Sequence, residues 1–245
     1  MVNVSHQETM PTGKDGKALE IFRKQWELYR KFLKFDYLSN AGAYRELNRF
    51  LTAEIARPFD FMDLACGDAS GIVTALKGTQ IAHYCGVDLA APALDLAKGN
   101  LKALSCPVDL KQSDFTLAMC DPKRPADIVW ISLSLHHLAT DDKRKLMREI
   151  RAGLSANGAF LIYEPTRDDD ENRPAYLNRF EETGRHDWTA LSGEEFKEAM
   201  GHVRGCDLPE TVSAWEELGR EAGFSKITEH YRSPDDLFRL FSYRP

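Results

Sequence analysis

The stretch DLACGDASG, Asp63 to Gly71, follows the apolar run FDFM, and about 20 residues beyond Gly67 a second apolar run ends in Asp88. A turn of small residues at the end of a strand lets a ligand approach the backbone at a helix N-terminus, and a carboxylate ending the next strand accepts hydrogen bonds from ribose hydroxyls. The dinucleotide fingerprint is incomplete, because Ala65 stands two positions before Gly67 and the turn offers few glycines. Asp63, just before the turn, suits a ligand carrying an amino group better than a phosphate.

Two adjacent histidines, His136 and His137 in SLSLHHL, supply imidazoles that can take a proton near neutrality. The alternative is structural, with one ring capping the following helix or bonding a loop. Glu164, closing GAFLIYEP, is a second candidate base or substrate anchor, or else an ion-pair partner of Arg167 or Arg173. The polar segment Thr166 to Ala190 carries Arg167, Arg173, Arg179, Arg185, His186 and Trp188. Arginines there grip a substrate carboxylate or phosphate in bidentate fashion, unless the acids from Asp168 to Glu171 neutralise them. Tyr37 and Tyr44 lie near the junction of two helical patterns, where an aromatic ring covers a ligand.

These residues must be positioned by the elements around them. Leu19, Phe22, Trp26, Tyr29 and Leu33 recur at helical spacing, and AGAYRELNRFLTAEIA gives a second helix after a turn at Ser39-Asn40. From Pro58 onward short apolar runs alternate with helical ones: FDFMDLA, IAHYCGVDL, PVDLKQSDF, ADIVWISLSL and GAFLIYEP read as strands with helices between them. That alternation predicts βαβ crossovers and an α/β fold, a doubly wound and mostly parallel sheet. After Pro165 it breaks into the charged segment. SGEEFKEAMGHV then opens with a Ser192/Glu195 capping box, PETVSAWEELGREAG is helical, and FSKITEHYR and DLFRLFSYR pair as an antiparallel hairpin at the sheet edge. Residues 1–17 read as a mobile tail, 18–57 as a helical cap, and 58–245 as the α/β domain with a cap insertion over 166–204.

Composition sets outer limits. Of the 245 residues 43% are hydrophobic and 29% charged, which fits a globular chain rather than a disordered or membrane-embedded one. The net charge of −6 gives no general attraction to a phosphate backbone, so nucleic acid is not the expected partner. Five scattered cysteines without a CxxC pair suggest neither disulfides nor a thiolate metal site and fit the cytoplasm. There is no apolar stretch long enough for a membrane span or a signal sequence.

Taken in order, Asp63 with Gly67, Asp88 in GVDLA, Asp114-Phe115 in SDF, SLSLHHL and LSANGAFLIYEP make the chain resemble the class I S-adenosylmethionine-dependent methyltransferases, in particular those acting on small molecules. Ala65 and Ala69 stand where that family carries flanking glycines. The resemblance covers roughly Phe59 to Pro165 and implies a seven-stranded Rossmann-like sheet with an antiparallel edge strand. It implies S-adenosylmethionine as cofactor, with Asp63, Ala65 and Gly67 against the methionine part, Asp88 on the ribose, Leu89 on adenine, Asp114 and Phe115 at the adenine edge, and Ser132 near the reacting methyl. His136, His137 and Glu164 are then the candidate catalytic groups, and Tyr37, Arg173, Arg179 and Trp188 the candidate substrate contacts. Magnesium-using members place acids at the end of strand four; here it ends in histidines, so no metal is expected. Methylation of RNA or protein, and cofactor binding without catalysis, are the alternatives; the incomplete glycine pattern disfavours an NAD oxidoreductase.

Overall fold

The computed structural model describes residues 27–117 and 125–245, so the expected tail over 1–17 and most of the first helical pattern lie outside the described residues. The described part of helix α1 spans residues 27–34. There follow α2 (Asn40–Glu54), β1 (Phe59–Leu64), α3 (Ile72–Leu76), β2 (Ile81–Asp88), α4 (Ala91–Asn100), β3 (Val108–Gln112), β4 (Ala126–Ser132), α5 (Thr140–Gly153) and β5 (Leu154–Arg167). The chain ends with α6 (Arg173–Asp187), α7 (Gly193–Cys206), the two-residue β6 (Glu210–Thr211), α8 (Val212–Glu221), β7 (Lys226–Arg232) and β8 (Phe238–Arg244).

The strands form one sheet in the order β3-β2-β1-β4-β5-β8-β7, with β6 added alongside the far end of β5. Strands β1 to β5 run parallel, and β8 runs antiparallel to both β5 and β7. The last two strands therefore make the expected antiparallel hairpin at the sheet edge, with β7 outermost. Winding explains where a ligand goes. From β1 the chain steps outward to β2 and β3, then returns to place β4 on the other side of β1, so the crossovers diverge between β1 and β4 and open a crevice at their carboxyl ends.

Helices cover both faces, which is why β4 is apolar almost throughout. Alternate residues feed two cores. Ile128 and Trp130 pack with Phe61, Tyr84, Leu161 and the α2 residues Leu47, Phe50 and Leu51, whereas Val129 and Ile131 pack with Phe160, Ile162, Met147 of α5 and Trp215 of α8. Helix α2 thus shares the core of the sheet. It is also tied by Asn48 Nδ2, which donates to the carbonyls of Ala75 and Lys77 at the end of α3.

The charged segment after β5 is an ordered helix, α6. Asn172 caps it by accepting from the Ala175 N–H, a proline occupies its first turn, and Tyr176, Leu177, Phe180 and Gly184 make a buried stripe. Six charged side chains from Arg173 to Asp187 obscure that periodicity in the sequence. Helix α7 carries the expected Ser192/Glu195 capping box. The PETVSAW helix starts later than its sequence suggests: Thr211 is the cap, and Glu210–Thr211 pair with β5 instead.

Close packing of α8 on the sheet allows a test. A Cβ on Gly219 would lie 2.5 Å from Tyr243 Cδ1 and 2.8 Å from Ile227 Cδ1. The Tyr243 ring is fully buried and held between Phe160 and Phe224, so it has nowhere to go. Overpacking costs about 1–3 kcal/mol, against a helix-propensity gain of about 1 kcal/mol for glycine to alanine. Gly219→Ala is expected to be net destabilising by ~1–2 kcal/mol in urea unfolding, despite its better helix former.

Candidate functional site

The turn after β1 is built on residues held in the left-handed region: Ala65 at φ 58°, Gly67 at 55° and Ala69 at 56°. The backbone there alternates, which is the conformation that glycine adopts without cost and alanine does not. Both alanines therefore take the positions at which the resemblance places glycines, and they take the same strained geometry. A Cβ on Gly67 would meet nothing within 4 Å, so this residue borders open space.

Asp88 fastens the turn to the end of β2. Its Oδ2 accepts from the Gly67 N–H at 2.8 Å and its Oδ1 from the Ala90 N–H at 2.8 Å. Asp63, in the last turn-ward part of β1, is 3% exposed and accepts from the Tyr84 hydroxyl at 2.7 Å. Burial pushes its pKa up to about 7, the Tyr84 hydrogen bond opposes that shift, and Asp88 adds to it. Asp63, Asp68 and Asp88 line a cleft of about 270 Å³ together with the turn, Ser132, Leu133, Trp130 and the α1 and α2 residues Tyr29, Leu33 and Tyr44. No lysine or arginine is among its described lining residues. Gly71 is required by this roof, because a Cβ there would overlap the Tyr44 ring.

A second cavity, of about 360 Å³, adjoins the first through the shared residues Tyr29 and Leu133. It is walled by Phe32, Phe180, Trp188 and Phe238, with His136, His137, His202 and Asp207 grouped on one side. Leu133 sits at φ 50° directly after β4, at the junction of the two.

The loop carrying the histidines is organised by Glu164. This carboxylate is fully buried; Oε1 accepts from the N–H groups of Ser134 (3.1 Å) and Leu135 (3.0 Å), and Oε2 from the His136 N–H (3.3 Å) and ring Nδ1 (2.6 Å). Glu164 lines neither cavity. It holds the loop from beneath, so the expected base or anchor role has no open face to act through. Nor does it pair with Arg167 or Arg173. Arg167 binds the Pro209 and Glu171 carbonyls, and Arg173 the Asp207 and Arg204 carbonyls.

The expected site residues divide accordingly. Asp63, Ala65, Gly67, Asp88 and Ser132 line the first cleft, and His136, His137 and Trp188 the second. Leu89, Asp114 and Phe115 line neither; Leu89 is exposed, and Asp114 caps the short 3-10 turn Phe115–Leu117 by accepting from the Thr116 N–H and hydroxyl. Tyr37 stacks on Trp188 and its hydroxyl accepts from the Ala190 N–H, which makes it a support for the wall. Arg179 is spent in a bidentate pair with Glu171 at 2.9 and 2.8 Å, and Arg173 caps the end of α7. Neither arginine is free to bind a substrate anion. Asp207 and His202 have no signal in the sequence, since only the packing of α7 against the β4 loop brings them to His136 and His137.

Comparison with known proteins follows the same geometry. Residues 61–158 match the family described as a methyltransferase domain. Over 129 residues the chain is 29% identical to carboxy-S-adenosyl-L-methionine synthase of Pseudomonas putida strain GB-1, covering 51% of this chain and 49% of that one. Over 192 residues it is 25% identical to the protein of that name from Pseudomonas paraeruginosa, covering 74% of each. The chain spans about half the length of the Pseudomonas putida relatives it matches. Among solved structures, the apo S-adenosylmethionine-dependent methyltransferase SibL aligns with a TM-score of 0.63 at 18% identity, over 89% of this chain and 57% of that one. The DhpI-SAM-HEP complex aligns at 0.61 and 18%, over 97% and 100%. Residues 61–158 thus match a methyltransferase domain, the fold is shared with solved S-adenosylmethionine-dependent methyltransferases, and the comparisons support S-adenosylmethionine as the cofactor.

Two substitutions test the site as folded. A left-handed alanine costs about 1–2 kcal/mol, more than the roughly 0.5–1 kcal/mol that glycine adds in backbone entropy. Ala65→Gly is expected to stabilise the ligand-free protein by ~0.5–1 kcal/mol in urea unfolding. Glu164→Ala leaves three backbone N–H groups and a ring N–H without their acceptor and is expected to cost ~3–5 kcal/mol, read in the same experiment.

Proposed function

We propose that the protein is a methyltransferase of the cytoplasm acting on a small-molecule acceptor, with the cofactor in the cleft after β1 and the acceptor in the aromatic cavity beside it. The observation that carries this reading is the acidity of the cleft. Three aspartates and no described cation suit a ligand with an ammonium and a sulfonium and oppose a dinucleotide, whose pyrophosphate brings two negative charges. The open space at Gly67 and the inward carboxylates fit such a group. S-adenosylmethionine supplies an activated methyl group on its sulfonium sulfur.

Every other contribution belongs to the chain. Asp63 holds the amino group, Asp88 turns its remaining lone pairs to the ribose, and Tyr44 and Trp130 close the cleft. Leu133, common to both cavities, marks where the two ligands meet. The aromatic walls exclude water, so alignment and desolvation are the main catalytic resources. His137 faces the acceptor. Burial first, then His136 and His202, lower its pKa to about 4, with Glu164 and the Cys206 carbonyl opposing, so at neutral pH its ring is uncharged. It offers a lone pair to the acceptor cavity more than it offers a strong base. The size of the cavity, within the range of small-ligand sites, supports a metabolite over a macromolecule.

Calorimetric titration with S-adenosylhomocysteine tests this. Micromolar binding is expected, weakened at least ~10-fold in Asp88→Ala, with no binding of NAD. Binding of NAD alone would overturn the reading. A pH series adds a signature. An ammonium prefers the ionised form of Asp63, and below about pH 7 the free protein protonates it. Affinity should therefore fall as pH is lowered from about 8 to about 6, by up to ~10-fold per unit, and Asp63→Asn should abolish the dependence.

A further inference from the structure

The wall of the acceptor cavity holds an arrangement that methyl transfer does not itself require. His136 Nε2 lies 3.6 Å from Asp207 Oδ1, and His137 Nδ1 lies 3.5 Å from the same oxygen. Ligand atoms of all three side chains fall within 4.8 Å of one another. Asp207 is 6% exposed, and its Oδ1 is a buried oxygen without a hydrogen-bond partner.

The protonation pattern is set from outside the triangle. Glu164 can only accept, so at 2.6 Å it fixes the proton of His136 on Nδ1 and leaves Nε2 as a lone pair aimed at Asp207. An N–H shared with a carboxylate would close to about 2.7–2.9 Å. Two ligands of one metal, each about 2.1 Å from it in tetrahedral array, stand about 3.4 Å apart. The observed separations match the second spacing. A carboxylate on the far nitrogen of a ligating histidine is also the usual support of a metal site.

We propose that His136 Nε2, His137 Nδ1 and Asp207 Oδ1 form a binding site for a divalent transition metal, of the zinc or iron(II) kind, with its remaining positions open to the acceptor cavity. Two histidines and one carboxylate are the donor set of both metals where a position is kept for substrate. The inference reverses the expectation of no metal, which considered only the residues ending β4; the third ligand comes from the end of α7. It also supplies what the cavity lacks. With no lysine or arginine among its described lining residues, a bound cation is its means of holding an acceptor through oxygen or nitrogen. That last role rests on the methyltransferase reading; metal binding itself does not.

The test is titration of chelator-treated full-length protein with Zn²⁺ alone by calorimetry, with Co²⁺ absorption as a second probe. One equivalent is expected, with the visible bands of a low-symmetry cobalt site. His137→Ala, which removes an exposed ring, and Asp207→Asn should each weaken Zn²⁺ by at least ~10-fold while S-adenosylhomocysteine still binds. His186→Ala, at an exposed histidine beside Asp187, should change nothing. Absence of Zn²⁺ binding, or binding that survives both the His137 and Asp207 substitutions, would overturn the proposal and leave the triangle as a protonated histidine between two carboxylates. Loss of S-adenosylhomocysteine binding in the unmodified protein would instead strike the methyltransferase reading alone.

Discussion

A single buried carboxylate sets the geometry on which both cavities depend. Glu164 stands on β5, yet all of its carboxylate's hydrogen bonds go to the loop that leaves β4. Three consecutive backbone N–H groups and one ring nitrogen converge on its two oxygens. The carboxyl group is buried with no lysine or arginine bonded to it among the described residues, and its burial is tolerable because the donors are fixed and several. From that anchor follow the left-handed turn at Leu133, the orientation of His136 and the exposure of His137. The same carboxylate decides which nitrogen of His136 carries a proton, so a residue that touches neither cavity governs what one of them can bind.

The cleft after β1 obeys a different constraint, the geometry of a turn that must change direction within a few residues. Three left-handed residues accomplish it, and Asp88 locks the result by bonding to Gly67 and Ala90 at once. The strain of Ala65 and Ala69 is borne by the surrounding structure rather than avoided. Just before the turn, burial first and then Asp88 raise the pKa of Asp63 to about 7 against the hydrogen bond from Tyr84.

Much of this was legible in the residues alone. The parallel sheet follows from the alternation of short apolar runs, because strands buried on both faces need apolar residues at nearly every position. Asp63, Gly67 and Asp88 were legible because a ligand at a switch point draws on strand ends, which sequence spacing locates. The arginines misled. Arg173 and Arg179 have the chemistry to grip an anion, but the carbonyls of Asp207 and Arg204 and the carboxylate of Glu171 claim them first, and competition of that kind depends on distances that no spacing encodes. Helix α6 was hidden by its charge, and Leu89 and Asp114 fall outside the cleft although their motif is present. Asp207 was beyond reach: it is some 70 residues from His137 and looks like any residue ending a helix.

The dependence of the second cavity on α6 and α7 divides the two cavities between separate parts of the chain. The described residues that line the first cleft come from α1, α2, β1 and the turn after it, α3, β2, α4 and the end of β4, whereas Phe180, Trp188, His202 and Asp207 come from the hairpin of helices after β5. That hairpin is held to the sheet by its own aromatic stripe and by Arg179, which donates to the Asp236 carbonyl in the β7–β8 turn, while Arg173 ties α6 to the end of α7. The length and lining of the hairpin can change without disturbing a hydrogen bond of the turn after β1. Replacing the roughly forty residues of that hairpin would reshape the second cavity and leave the turn after β1 with every one of its own hydrogen bonds.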